Sequence, residues 1–214
     1  MSNLDFGQVL AAFAVLLFAL TVHESAHAWV ADRLGDPTAR RLGRVSLNPV
    51  VHVDVVGTIV FPLVAMFTGL PVIGWAKPVP VNPYNLRDFR RDHLFIALAG
   101  PASNFLLALI SAFVARAVLA QPAVGWTGAA IVVPLSMVAM LSLDINMLLA
   151  LFNLVPVPPL DGSSVLSGLL PERLAGAIDS LRPYGFVLLY ALMLSGALSA
   201  VIVPPYRLLL SWLH

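Results

Sequence analysis

His23-Glu24-Ser25-Ala26-His27 sets two imidazoles and a carboxylate within little more than one helical turn. Histidines at i and i+4 project from the same face of a helix. Two such rings can grip one zinc ion, and a glutamate beside the first is placed to handle a proton. The surroundings make the motif unusual. Phe6 to Val22 is nearly all Ala, Val, Leu and Phe. Ionisable groups inside a membrane-spanning helix are expensive, and where they occur they mark function.

A catalytic zinc takes three protein ligands and leaves one position for water. The chain has no cysteine, so the third ligand must be a His, Asp or Glu on another element. The candidates are His52, Asp54, His93, Asp144, Asp161 and Glu172. Asp161 is the best placed. It lies in Asn153-Leu154-Val155-Pro156-Val157-Pro158-Pro159-Leu160-Asp161-Gly162, where prolines interrupt a span and glycine frees the backbone. Coordination to a cation relieves an intramembrane carboxylate of its desolvation cost. With this set, Glu24 is the expected general base. It takes a proton from water attacking a carbonyl and passes it to a leaving amine. Asn153 is the expected donor to the oxyanion.

Composition defines the solvent. The chain has 214 residues, 59% hydrophobic and 11% charged. A soluble domain carries about 25% charge. The expectation is an integral membrane protein in a lipid bilayer, folded as one domain over residues 1–214 with no room for an added soluble module. The lack of cysteine excludes disulfides and thiol catalysis. The net charge is +1 with no basic run interleaved with aromatics, so nucleic acid is not an expected partner. Residues 6–22 have no basic region before them and no cleavage-like site after them, and they read as a retained first span.

Helices must position the motif. The first is expected from Phe6 to Leu34, ending at Gly35-Asp36-Pro37. Apolar stretches follow over residues 53–73, 93–118, 129–152 and 184–203, with a short segment ending at Pro171 and a stop at Pro204-Pro205. Residues 74–83 hold three prolines, Pro78, Pro80 and Pro83, which favour an extended path. Arg40, Arg41 and Arg44 precede residues 45–86, and Arg87, Arg90 and Arg91 follow them. The positive-inside rule places both clusters in the cytoplasm. The segment between must leave and return on one side, as a re-entrant excursion. The fold class is therefore an all-α polytopic membrane protein with about five transmembrane helices plus a re-entrant helix and extended segment. His23 lies roughly 25 Å along the first helix from Phe6 at 1.5 Å per residue. The span after Ala129 returns inward, so Asp161 arrives at the same level, nearer the cytoplasmic face.

On these residues the chain resembles the site-2 protease family, zinc metalloproteases that cleave transmembrane substrates. His23 through His27 resembles the first signature of that family. Asn153 through Asp161-Gly162 resembles the second, in which an asparagine precedes a zinc-binding aspartate. Gly100-Pro101-Ala102-Ser103-Asn104 resembles the small-residue start of the intervening core helix. Arg44 through Asn48-Pro49 and Gly74 through Pro83 resemble short bacterial-type members without an inserted peptide-binding domain, although Val55 stands where that subgroup often has proline. The resemblance implies one zinc per chain and a transmembrane protein or peptide substrate. It implies extended chain that pairs with unwound substrate, and regulated intramembrane proteolysis in the cell (inner) membrane.

Other polar residues have quieter expectations. His52 and Asp54 are expected to pair with each other and fix the excursion, and Asp144 to find a structural partner such as Asn146 or a helix terminus. Ser103 and Asn104 are expected to serve packing, Trp75 and Trp126 to anchor at an interface, and Lys77 to be a surface charge. Two rivals remain. A catalytically silent relative that binds transmembrane segments would have no need of Glu24. A metal transporter would need polar residues along several spans, and the outer halves here are nearly bare.

Overall fold

The computed structural model describes residues 6–61, 64, 74–120 and 125–213. It is all-helical, and no strand forms among the described residues. In chain order the helices are α1 (Phe6–Arg33), α2 (Thr38–Arg41), α3 (Phe89–Leu119), α4 (Gly125–Asn153), α5 (Asp161–Leu169), α6 (Glu172–Ser180), α7 (Gly185–Leu194) and α8 (Ala197–Leu213). Four helical stretches are long and apolar enough to cross a membrane: Phe6–Arg33, Phe89–Leu119, Ala130–Asn153 and Glu172–Leu194. A shorter apolar helix, Ala197–Ser211, follows. The protein is thus a polytopic all-α membrane protein.

Helices α1, α3 and α4 pack on one another and hold the site. Ala19, His23, His27 and Ala31 recur at i+4 on α1 and are all buried, so they form one stripe facing the bundle. Ala108 and Ala112 of α3 meet Leu143 and Met147 of α4. Such small residues let helix backbones approach closely, which is the main source of association where lipid offers no hydrophobic drive. The opposite faces expose Phe13, Leu106, Phe113 and Leu135. Exposed apolar surface of that extent suits hydrocarbon rather than water.

The end of α1 forms as expected. Gly35 takes φ 111°, a left-handed conformation that a side chain would oppose. The Asp36 N–H then closes the helix by donating to Ala31 O at 2.9 Å. Asp36 itself is fully buried. It accepts from the Thr38 N–H and hydroxyl, from the Asn82 N–H and from the Asn85 side-chain amide. Burial alone would push this carboxyl up, but those hydrogen bonds outweigh it and hold the group below its ordinary value.

The segment after α2 goes in and comes back. Residues 49–51 form a 3-10 turn and 55–60 a π-helical turn. The returning leg lies beside the outgoing one, with Lys77 N–H donating to His52 O at 2.8 Å and Trp75 N–H to Gly57 O at 3.2 Å. Residues 62–63 and 65–73, where the sequence places the turning point, lie outside the described residues. The return leg is irregular chain rather than a strand.

The C-terminal part differs from the reading of its prolines. A single span over 184–203 ending at Pro204-Pro205 is not what forms. Glu172–Leu194 is a composite of α6, a 3-10 turn at Arg182–Tyr184, and α7. The break falls at Ser195-Gly196, where Gly196 takes φ 76°. Helix α8 then runs through both prolines. Its continuation is held by packing, because Tyr206, Leu209 and Leu210 lie against Leu143 and Met147. Neighbouring helices routinely support proline within membrane helices in this way.

Helix α3 covers the expected stretch over 93–118 and starts at Phe89, before the Gly100 that the resemblance offers as a helix start, with the Asp88 side chain capping it through the Arg91 N–H. Gly100 and Pro101 therefore lie inside the helix.

Candidate metal centre

Asp161 reaches the two histidines of α1 from the first turn of α5. His23 Nε2 is 3.1 Å from Asp161 Oδ2, and His27 Nε2 is 3.3 Å from the same oxygen. The two Nε2 atoms are 3.0 Å apart. Among the described residues this is the only group of three such side chains able to hold a metal ion. The structure thus brings His23, His27 and Asp161 together.

Two glycines make the convergence possible. The backbone of Gly100 on α3 presses against the imidazoles, and a Cβ there would overlap His27 Nε2 and His23 Cε1 and Nε2. A Cβ on Gly162 would overlap the Leu154 carbonyl and Val155 O, so the proline-rich loop can fold tightly over the start of α5. Ser163 ties the same turn, its hydroxyl donating to Leu160 O at 2.8 Å. The loop therefore aims Asp161 inward rather than merely ending a span.

Hydrogen bonding decides the state of both rings. His27 Nδ1 lies 2.6 Å from Ile96 O, a carbonyl that can only accept, so Nδ1 carries the proton. His23 Nδ1 lies 2.6 Å from Asn104 Oδ1 and donates likewise. Each Nε2 then presents a lone pair. The buried Asp161 Oδ2 has no hydrogen-bond donor. With both rings neutral, three lone-pair atoms thus face one another at contact distance. That arrangement is repulsive unless a cation sits among them, and two imidazoles with a carboxylate match the N/O donor set zinc accepts. The residues fit a zinc ion.

A cavity of about 490 Å³ opens onto this cluster, and Glu24, Asn153, Trp75 and His93 line it with the three converging residues. Glu24 is half-buried. Asn153 spends one amide hydrogen on Leu149 O at 3.0 Å and keeps another. A second, polar cavity of about 650 Å³ shares His93 and Ser164 with the first and is flanked by Arg90, Glu172, Asp179 and Arg182.

The remaining polar residues are placed as follows. His93 and Glu172 line cavities and do not join the metal cluster. His52 and Asp54 do not pair with each other. His52 Nε2 donates to Ser46 O at 2.8 Å, whereas Asp54 caps the π-helical turn through the Gly57 N–H at 2.7 Å. Each fixes the excursion, but through its own backbone partner. Asp144 accepts from the Tyr206 hydroxyl at 2.8 Å rather than from Asn146. Trp75 is a cavity wall between Phe61 and Phe186, with ring centroids 5.0 Å from each. The Trp126 side chain lies outside the described residues, and Lys77 is exposed as expected. Asn104 is the residue that sequence reasoning undervalued. Its signal was available, because it follows Gly100 by one turn on the same helix face.

The chain is 37% identical over 190 residues to a protein named "Putative zinc metalloprotease YwhC" of Bacillus subtilis, covering 88% of this chain and 82% of that one. It is 28% identical over 195 residues to "Putative zinc metalloprotease Rip2" of Mycolicibacterium smegmatis, covering 90% and 70%. The Rip2 of Mycobacterium tuberculosis is 29% identical over 186 residues, covering 86% and 66%. No family model and no solved structure matches the chain. A site fitted to zinc agrees with the names of these relatives, and the chain belongs to the zinc metalloprotease family of YwhC.

Proposed function

We propose that this protein is an intramembrane zinc endopeptidase of the site-2 protease type, which hydrolyses peptide bonds in or near transmembrane segments of other proteins. The observation that carries the reading is the convergence of the three lone-pair donors of His23, His27 and Asp161 on a cavity that Glu24 and Asn153 also line. A silent binder would need the cavity but not a carboxylate beside the ligands.

His23, His27 and Asp161 would hold the zinc, which would supply Lewis acidity to water and to the scissile carbonyl. Glu24 takes the proton from the attacking water and delivers it to the leaving amine. The free amide hydrogen of Asn153 stabilises the oxyanion. Trp75 and the apolar wall of the cavity shield the reacting atoms from lipid and bulk water. A helical substrate hides its backbone, so it unwinds locally before cleavage, and helix-breaking or small residues near the cut ease this step. The polar cavity behind His93 and Ser164 supplies water.

Orientation follows from charge. Arg40 and Arg41 after α1, with Arg87 just before α3 and Arg90 and Arg91 in its first turn, lie at the end of the bundle where Asp36 meets Asn82. That end faces the cytoplasm in the cell (inner) membrane. The biological role is regulated proteolysis that releases a membrane-held regulator or clears remnant peptides.

The test uses purified protein in liposomes, a panel of single-span reporter substrates, wild type beside Glu24→Gln, and zinc content on both. Cleavage by wild type alone, with about one zinc per chain in each, is expected from one three-ligand site. Zinc in both with cleavage by neither across the panel would favour the silent binder. Equal cleavage by both would refute the role of Glu24.

A further inference from the structure

A buried chain of side-chain hydrogen bonds runs away from the metal cluster, and the reaction described above does not use it. It begins at His23 Nδ1, 2.6 Å from Asn104 Oδ1. Asn104 Nδ2 donates to Asn146 Oδ1 at 2.9 Å and to Ala19 O at 3.3 Å. Asn146 Nδ2 donates to Ser142 O at 2.8 Å and approaches Ser142 Oγ at 3.2 Å. The chain ends where the Ser111 hydroxyl donates to Ser142 Oγ at 2.7 Å. Asn104 is 0% exposed and Asn146 1%, so water cannot substitute for a missing partner.

The direction of this chain is determined, although an amide could in principle be turned either way. Ser142 O is a backbone carbonyl and can only accept, so the NH₂ of Asn146 faces it and Asn146 Oδ1 faces Asn104. Ala19 O is likewise only an acceptor, and with Asn146 Oδ1 it takes both hydrogens of Asn104. Only Oδ1 of Asn104 is left for His23. The ring must then carry its proton on Nδ1 and present the Nε2 lone pair to the metal position. His27 obtains the same state from Ile96 O and needs no side chain. His23 is therefore the ligand whose tautomer depends on side chains that can be substituted.

We infer that Asn104 is a positioning residue for the metal centre, and that Asn146 acts through it. Asn104 fixes the tautomer and plane of His23. Asn146, on α4, prevents the Asn104 amide from turning. The two asparagines thereby join α1, α3 and α4 in one polar contact that sets the metal site for binding. This inference rests on the zinc reading proposed above.

The test measures zinc affinity of the purified full chain by competition with a chromophoric chelator, together with the ligand-field spectrum of the cobalt-loaded protein. Asn104→Leu is expected to weaken zinc binding by about 10–100-fold and to alter the cobalt spectrum, the usual scale for partners of ligating histidines. Asn104→Asp keeps an acceptor for His23 Nδ1 and is expected to restore most of the affinity and the wild-type spectrum. Asn146→Leu, which does not touch His23, is expected to weaken zinc binding several-fold. It also decides the matter if Asn104→Leu fails to fold. A folded Asn104→Leu or Asn146→Leu protein with wild-type zinc affinity and cobalt spectrum overturns the inference. Wild-type protein that binds no zinc overturns the metal reading itself, and peptidase activity enters neither outcome.

Discussion

The Asp36 carboxylate accepts the Asn82 N–H at 2.6 Å and so ties the end of the return leg to the end of α1. The Asn85 amide reinforces this at 2.8 Å. The same return leg supplies Trp75, Ala76 and Val79 to the wall of the active cavity. One buried carboxylate therefore keeps the wall in register with the helix that carries His23, Glu24 and His27.

This tie has a pH signature. Hydrogen bonding holds the Asp36 carboxyl below the ordinary carboxylate value, so the folded state binds this proton less readily than the unfolded chain. The stabilisation is complete above the unfolded pKa and is lost as pH falls through the lower folded value. Melting temperature measured from pH 7 down to 3 should fall more steeply for wild type than for Asp36→Asn. The variant should also be less stable at neutral pH, by about 1–3 kcal/mol for broken buried hydrogen bonds. An identical acid limb in both proteins would exclude Asp36 as the source.

Gly100 predicts a steric effect on metal binding. A methyl at this position meets both imidazoles, so Gly100→Ala must push the rings or the helix apart. Overpacking of this kind costs about 1–3 kcal/mol. Zinc content after dialysis should drop well below that of wild type, while circular dichroism remains helical. Full retention of zinc would mean that the rings have room the structure does not show.

His93 and the cluster residues should separate cleanly. His93 lines the cavity but lies outside the converging set, so His93→Gln should keep wild-type zinc stoichiometry. His23→Ala, His27→Ala and Asp161→Ala should each lose it. Elemental analysis of the four purified variants distinguishes these outcomes, and loss of zinc in His93→Gln would redefine the ligand set.

Tyr206 and Asp144 give a prediction remote from the site. The hydroxyl is the donor seen on this carboxylate, inside a helix bundle. Tyr206→Phe should destabilise the protein by about 1 kcal/mol, the usual net worth of a hydrogen bond, here to a half-buried acceptor. Asp144→Leu in the same background should recover part of that loss, because replacing both partners with apolar groups removes the unpaired group. Thermal unfolding in detergent reads both changes.

Much of the site could be read in the sequence because its chemistry is local. His23, Glu24 and His27 share one turn of a helix, so spacing alone places them together. Asp161 was found by scarcity, as one of few carboxylates beside a proline-interrupted span. The hydrogen-bond partners were harder. His52 with Asp54, and Asp144 with Asn146, are neighbours in sequence, and proximity suggested pairs that the fold does not make. The actual partners, Ser46, the Gly57 N–H and Tyr206, depend on how separate elements meet. The C-terminal helices were misread for a similar reason. Pro204-Pro205 is a strong local stop, but packing of Tyr206 and Leu209 against α4 overrides it, while the quieter Gly196 makes the break. Asn104 looked like a packing residue because nothing in a single helix shows what its amide faces.

The donors that converge on Asp161 Oδ2 come from opposite halves of the polypeptide. An ion held among them is a cross-link as well as a reagent. It closes a very long loop, and closing such a loop removes entropy from the unfolded chain while leaving the native helices unchanged. The C-terminal portion from α5 onward would then be fastened to the α1–α3–α4 core partly through that clasp. Removing a metal held there should therefore loosen α5 and the helices beyond it before the core yields, and such a site would double as the rivet of its own fold.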